Sequence, residues 1–213
     1  MGLEVIVLAG ALLMLPFVVA GFVVFSVLIE RERGTVETVW EGYAARRVRE
    51  LVPARGEWPN RSSPCVRWRS EGVRFELSTV GREAVAFTRL AAWPRERLLG
   101  TFVATARKAL RETERAPSLD ALFERRFAVE EEPAGLGARL LDDRARRLLL
   151  GFCQQDRVTF RYQRARLRLE WTGRELNDAR IDEAEAILRL LSRTIEDHFA
   201  ETAPAPARPT DHA

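Results

Sequence analysis

Few side chains in this sequence could do chemistry. The chain has 213 residues but only two cysteines and two histidines. Cys65 or Cys153 would need a base, usually histidine, to act as a nucleophile, and neither lies in a local motif with His198 or His212. Two cysteines also exclude a four-cysteine zinc site and a disulfide-dense secreted scaffold. The sequence therefore predicts no metal, no cofactor and no catalytic residue.

Paired carboxylates are the next candidates, at Asp142–Asp143, at Asp178 with Asp182, and in the acidic run 130–132. General acid–base catalysis needs two carboxyl groups that converge in a cleft in unlike environments. Asp142 and Asp143 instead stand at a predicted helix start, where negative charge complements the helix dipole. No nucleotide-binding, zinc or nucleophile-elbow motif occurs. An enzyme of unrecognised type stays an alternative, and it requires a pocket where Asp142, His198 or a cysteine meets other polar groups.

Arginines form the most suggestive pattern, on one side of a predicted hairpin over 157–171, with Arg67, Arg69 and Arg74 as an extension. This face could contact an anionic surface such as lipid headgroups, or it could be a solvated face paired with Glu76 and Glu170. We do not expect nucleic acid, because the aromatic residues of the hairpin fall on its core side. The candidate contact residues are Arg157, Arg161, Arg164, Arg166 and Arg168.

These residues need elements to position them, and the first is an uncharged run of 25 residues from Val5 to Ile29. As a helix it is about 37 Å long, against a hydrocarbon core of about 30 Å. Its apolar side chains favour insertion by roughly 5–10 kcal/mol. We therefore predict a transmembrane anchor over residues 1–30. A cleaved signal peptide, with Ala20 at its cleavage site, and a buried core helix are the alternatives.

The charges that flank this run predict its orientation. Only the terminal amine and Glu4 precede it, whereas Arg31, Arg33 and further arginines follow it. Arginine and lysine favour the cytoplasmic side of a membrane. We therefore expect an inner-membrane protein with its N-terminus outside and residues 31–213 in the cytoplasm, where free cysteines stay reduced.

The remainder reads as a mixture of helices and hairpins. Gly34 should separate the anchor from a helix over 38–52, which begins at a capping-box pattern of Thr38 and Glu41. Alternating residues predict a hairpin over 65–79 and a strand over 84–90 that Trp93–Pro94 ends. Residues 98–110 favour a helix, with a strand over 98–105 as the alternative.

The C-terminal half repeats this order of helix and hairpin. Ser118 should cap a short helix that reaches Arg125, and a strand over 127–131 follows. A helix over 139–153 then precedes the hairpin over 157–171, and a last helix runs over 177–199. Residues 202–213, rich in proline and alanine, should be disordered.

The predicted fold class is α+β: one N-terminal transmembrane helix followed by antiparallel hairpins flanked by amphipathic helices. The shared order leaves open two similar lobes, over 31–116 and 117–201. A net charge of +3 with 31% charged and 46% hydrophobic residues is typical of a folded chain and excludes wholesale disorder.

Three stretches carry a resemblance: the segment from Asp120 to Val129, the sequence Leu140–Asp143 and the hairpin over 157–171. Together they resemble a pattern in uncharacterised bacterial membrane-anchored proteins, which have an N-terminal hydrophobic segment and a cytoplasmic α+β domain. The resemblance covers roughly residues 120–200. It implies fold and topology and supplies no catalytic residues.

The sequence thus favours a non-catalytic anchored interaction or scaffold module of unknown molecular function. Its expected partners are the lipid bilayer and an unknown protein. A peripheral module that binds anionic lipid through the arginine-rich hairpin is the first alternative, and the unrecognised enzyme is the second.

Overall fold

The computed structural model describes residues 2–56, 62–82, 85–107, 118–153 and 157–202. The predicted tail over 202–213 lies outside these ranges except for its first residue. The helices are α1 (Gly2–Arg46), α2 (Leu119–Arg126), α3 (Leu136–Leu140), α4 (Asp143–Phe152) and α5 (Asp178–Thr202). The strands are β1 (Glu50–Val52), β2 (Cys65–Ser70), β3 (Val73–Arg82), β4 (Val85–Trp93), β5 (Thr101–Ala106), β6 (Phe127–Glu132), β7 (Val158–Gln163) and β8 (Arg166–Thr172).

The eight strands form a single antiparallel sheet in the order β1-β2-β3-β4-β8-β7-β5-β6. The α+β class, both predicted hairpins and the antiparallel pairing are therefore confirmed. The two halves of the chain meet where β4 pairs with β8, for example at Leu90 opposite Leu169. Residues from both halves also share one hydrophobic cluster. The strands predicted for two lobes thus belong to one sheet. The sequence did not show this, because pairing between distant strands leaves no mark on local periodicity.

α1 is one helix of 45 residues that passes through both Pro16 and Gly34. The predicted break at Gly34 and helix start at Thr38 are wrong. The Thr38 hydroxyl donates a hydrogen bond to the Gly34 carbonyl at 2.9 Å, so it bonds back within the helix and caps nothing. The predicted end at residue 52 is wrong as well, since α1 stops at Arg46 and Leu51 lies in β1, opposite Val66.

The described helices pack on one face of the sheet. Val36, Trp40, Tyr43 and Ala44 are buried at helical spacing and attach the end of α1 to the common core. α5 contributes a longer stripe on the same side. This stripe comprises Ile181, Ala184, Ile187, Leu188, Leu191 and Ile195.

Two further predictions needed correction. Residues 101–106 form the strand β5, which was the alternative, because Phe102, Ala104 and Ala106 are buried in alternation. The predicted helix over 139–153 is divided into α3 and α4. The Asp142 carboxylate accepts a hydrogen bond from the Ala145 amide at 2.7 Å and starts a new helix. Ser118 caps α2 through the Ala121 amide, as predicted.

Within the described part of the chain, none of the helices combines the length and the apolar character that a membrane crossing requires. The transmembrane anchor therefore stays a prediction.

Candidate functional site

The face of the sheet opposite the helices carries a band of arginines, which we call the arginine face. One row crosses five adjacent strands: Arg67 lies opposite Glu76, Glu76 opposite Ala91, Ala91 opposite Arg168, and Arg168 opposite Arg161. Because side chains two residues apart on a strand share a face, the neighbouring rows add further arginines. The arginine face comprises Arg67, Arg69, Arg74, Arg89, Arg161, Arg166 and Arg168.

Two pairs of like charges stand directly opposite each other on this face. Arg69 lies opposite Arg74 in the β2–β3 hairpin, and Arg161 lies opposite Arg168 in the β7–β8 hairpin. Like charges at directly opposite positions of an antiparallel pair destabilise it. Stability therefore does not explain this arrangement.

Trp93 lies among these arginines. The Arg74 guanidinium sits 4.1 Å from the centre of the Trp93 ring, and the Arg166 guanidinium sits 5.5 Å from it. Partial burial and the neighbouring charge of Arg89 hold the pKa of Arg166 below its usual range. This cluster of positive charge has a flat aromatic surface within it.

Two glutamates balance part of this charge. Glu170 is buried, with its side chain 4% exposed, and accepts from Arg89 Nε at 2.6 Å. Glu76 accepts from Arg67 Nε at 2.8 Å, and this bond raises the pKa of Arg67. Such pairs were predicted by the alternative in which this face is exposed to solvent and its arginines pair with Glu76 and Glu170. Among the described side chains on this face of the five strands, however, there are seven arginines and only two glutamates.

The five predicted contact residues divide into two groups. Arg161, Arg166 and Arg168 lie on the arginine face, half-buried among their neighbours. Arg157 precedes β7, and Arg164 lies in the β7–β8 turn with a φ of 52°; both are exposed. Sequence reasoning missed Arg89 and Trp93. Both faces of β4 carry apolar residues, so alternation did not show which side Trp93 occupies.

A second unusual surface lies on α1. Ten large apolar side chains between Met14 and Leu28 are each 53–74% exposed. At about 100° per residue they surround the helix on all sides. A helix that is apolar on every side is normally buried in protein or in a membrane. They are Met14, Leu15, Phe17, Val18, Val19, Phe22, Val23, Val24, Val27 and Leu28.

The other end of α1 contacts the start of α5 through hydrogen bonds and an ion pair. Trp40 Nε1 donates to the Glu175 carbonyl at 3.0 Å, and the Tyr43 hydroxyl donates to Asp182 at 3.1 Å. Arg46 pairs with Asp178 at 2.6 Å, outside this buried contact. The apolar end of α1 and the folded body are thus joined by one continuous helix.

The residues considered for catalysis stay apart on different elements. Cys65 is buried in β2, and burial raises the pKa of its thiol. Cys153 is buried at the end of α4, where its carbonyl accepts from Arg126. His198, near the end of α5, accepts from Arg139 Nε at 2.9 Å, and Asp142 caps a helix. Among the described residues, no three histidine, cysteine or acidic side chains are placed to hold a metal ion.

Comparison with known proteins adds little. No family model matches the chain, and no curated protein matches it. One similar solved structure is the crystal structure of the mycobacterial trehalose monomycolate transport factor A, TtfA. It shares 13% identity, with a TM-score of 0.49 over 80% of this chain and 98% of that chain. A likeness of this size supports no functional inference, and the resemblance to membrane-anchored proteins stays a prediction.

Proposed function

We propose that this protein is a non-catalytic interaction module that is anchored in a membrane by the apolar part of α1, with its folded body in the cytoplasm. The observation that carries the proposal is the complete ring of exposed apolar side chains between Met14 and Leu28. In water such a surface is unfavourable at about 25 cal/mol per Å². In lipid the same surface is favourable.

The helix also fixes the distance between the membrane and the folded body. Leu28 is the last exposed apolar residue of the ring, and Val36 is already buried in the core. Eight helical residues span about 12 Å. The folded body would therefore lie directly against the headgroup layer, as a module for assembly at a membrane requires.

Alkaline extraction of membranes from expressing cells tests the anchor. The full chain should stay with the membranes, whereas the double variant Val19→Arg and Val23→Arg should be released. Each arginine at mid-span costs about 2.5–3.5 kcal/mol, so the pair offsets most of the insertion energy. Val19→Leu with Val23→Leu is the matched control and should stay. Release of the unmodified chain would contradict the proposal.

The side of the membrane can be tested with one added cysteine. Both native cysteines are buried, and Val48 is 96% exposed at the end of α1. In spheroplasts, Val48→Cys should react with a membrane-impermeant maleimide only after lysis. Labelling of intact spheroplasts would contradict a cytoplasmic body.

A second candidate function is binding of anionic lipid through the arginine face, and the opposed pair Arg161 and Arg168 favours it. The full chain can be reconstituted in nanodiscs of phosphatidylcholine with or without phosphatidylserine. Brominated phosphatidylserine should quench Trp93 fluorescence more than brominated phosphatidylcholine does, with Trp93→Phe identifying that contribution. Equal quenching by the two lipids would exclude this function.

A further inference from the structure

An open groove of about 660 Å³ lies beside the β2 edge of the sheet, and we call it the edge groove. It is bounded by the turn after α1, by β2 and by α5. Of its charged lining residues, only Glu50 and Glu185 are acidic. The basic lining residues are Arg47, Arg49, Arg67, Arg69, Arg74 and Arg189. The groove therefore suits an anionic occupant.

The wall of the edge groove includes a part of β2 whose outer edge is paired with no described strand. β1 has three residues and pairs with β2 only over Cys65–Arg67. β2 continues through Trp68, Arg69 and Ser70, which line the groove. Backbone groups of an antiparallel strand point alternately to its two sides. At least one N–H and one C=O of these three residues therefore face the side that β1 leaves uncovered.

A stacked arginine and a nearly buried ion pair form the floor of the groove. The Arg49 guanidinium stacks 4.0 Å from the centre of the Trp68 ring and pairs with Glu185 at 2.7 Å. Both partners are nearly buried, with side chains 9% and 4% exposed. Trp68 Nε1 is buried and has no hydrogen-bond partner among the described residues. Arg49 and Glu185 thus form the floor of the groove. Arg47 pairs with Asp182, Arg67 with Glu76, and Arg189 with Glu185. Arg69 and Arg74 have no carboxylate partner among the described residues and can contact an occupant.

Val48, at the rim of the groove, has a strained backbone conformation. Val48 has a φ of 53° and is 96% exposed. A β-branched residue in the left-handed region is a conformational outlier, and such outliers occur preferentially at binding sites. Val48 touches little within its own chain, so its side chain is available for contact.

We infer that the edge groove binds an extended acidic peptide segment of a partner protein, which pairs with the open edge of β2 and places its carboxylates against the groove arginines. Strand addition of this kind obtains affinity from main-chain hydrogen bonds and specificity from alternate side chains. The inference deepens the proposed interaction module by naming the chemistry of its partner. An anionic headgroup would use the charge of the groove but not the strand edge.

Fluorescence anisotropy of the full chain in detergent tests the inference with a labelled nine-residue peptide of alternating glutamate and threonine. The peptide should bind, and its glutamine counterpart should bind at least about tenfold more weakly. Only alternate residues of an added strand donate towards β2, so of two versions N-methylated at the odd or at the even positions, one should lose about tenfold in affinity. Unchanged binding of both N-methylated peptides, or equally effective displacement by glycerophosphate, would mean an anion site without strand addition and would overturn the inference.

Matched variants locate the site. Arg69→Gln should weaken binding about two- to fivefold. Val48→Asp should weaken it relative to Val48→Asn, because both residues tolerate this backbone conformation and only one adds repulsive charge. Arg164→Gln, in the exposed β7–β8 turn, should have no effect. Unchanged binding in Arg69→Gln and Val48→Asp together would place the peptide elsewhere. The outcome is independent of membrane extraction, so failure of the anchor and failure of the groove are distinguishable.

Discussion

Replacement of Arg49 should destabilise the protein far more than replacement of any exposed arginine. Its guanidinium pairs with Glu185 at 2.7 Å and stacks on Trp68 and Tyr43, 4.0 and 4.8 Å from their ring centres. Loss of one partner of a buried pair costs about 3–5 kcal/mol. Glu185 keeps its bond with Arg189, which offsets part of this cost. The lost cation–π contacts add about 1 kcal/mol. We therefore expect Arg49→Met to lower the free energy of unfolding by about 3 kcal/mol.

Urea unfolding of the full chain in detergent, followed by tryptophan fluorescence, measures this effect. Arg49→Lys keeps the charge but loses the planar stack, so it should lie between the wild type and Arg49→Met. In Arg49→Met with Glu185→Leu, no buried carboxylate is left beside residue 49. The double variant should therefore lose less free energy of unfolding than the sum of the losses in the two single variants. A loss of less than about 1 kcal/mol of unfolding free energy in Arg49→Met, or additive losses in the double variant, would contradict a stabilising role of this buried pair.

Three further predictions concern stability. Gly100→Ala should lower the free energy of unfolding by more than about 2 kcal/mol, because φ is +127° there and the new Cβ would lie 2.3 Å from the Glu132 carbonyl oxygen. The control Gly151→Ala places its Cβ in open space on α4, and urea unfolding should show it to be neutral or stabilising. Tyr162→Phe should cost about 2 kcal/mol in the same assay, since the hydroxyl donates to the Leu98 carbonyl at 2.7 Å and accepts from the Leu98 amide at 2.8 Å. Burial raises the pKa of Tyr43 and of Tyr162, so the folded state favours their protonated forms. The free energy of unfolding should therefore fall as the pH rises above about 10. The double variant Tyr43→Phe with Tyr162→Phe should show a weaker pH dependence.

Local patterns in the sequence predicted local structure well. Alternation at Val66 and Trp68 identified the first hairpin, and Ser118 marked the start of α2. These signals depend on neighbouring residues alone, so a single sequence contains them. The same holds for Asp142, whose position at a helix start is confirmed, although it begins α4 within a predicted longer helix.

Local sequence patterns did not predict the features that depend on contacts between distant residues. β1 is a strand because Leu51 meets Val66 across the sheet, although its spacing after Val48 suits a helix. The burial of β5 likewise comes from its neighbours β6 and β7. The arginine face shows the same division. The β7–β8 hairpin could be read from alternation, whereas the approach of Trp93 to Arg166 required the β4–β8 pairing.

The edge groove had no sequence signal of its own. Arg47, Arg69 and Arg189 come from three separate stretches of the chain, and only the packing of α5 beside β2 brings them together. Arginine is common throughout this chain, so its abundance at these positions was uninformative. The short strand β1, which limits the pairing of β2, was predicted as the end of a helix.

Spin labels along α1 can show whether this helix lies in lipid. Single cysteines at Val18, Val23 and Val24, each labelled in the full chain within a lipid bilayer, occupy different sides of the helix. We predict that all three labels collide more readily with dissolved oxygen than with a water-soluble nickel complex. Water-like accessibility at any of them, or protection confined to one side of the helix, would contradict a membrane anchor.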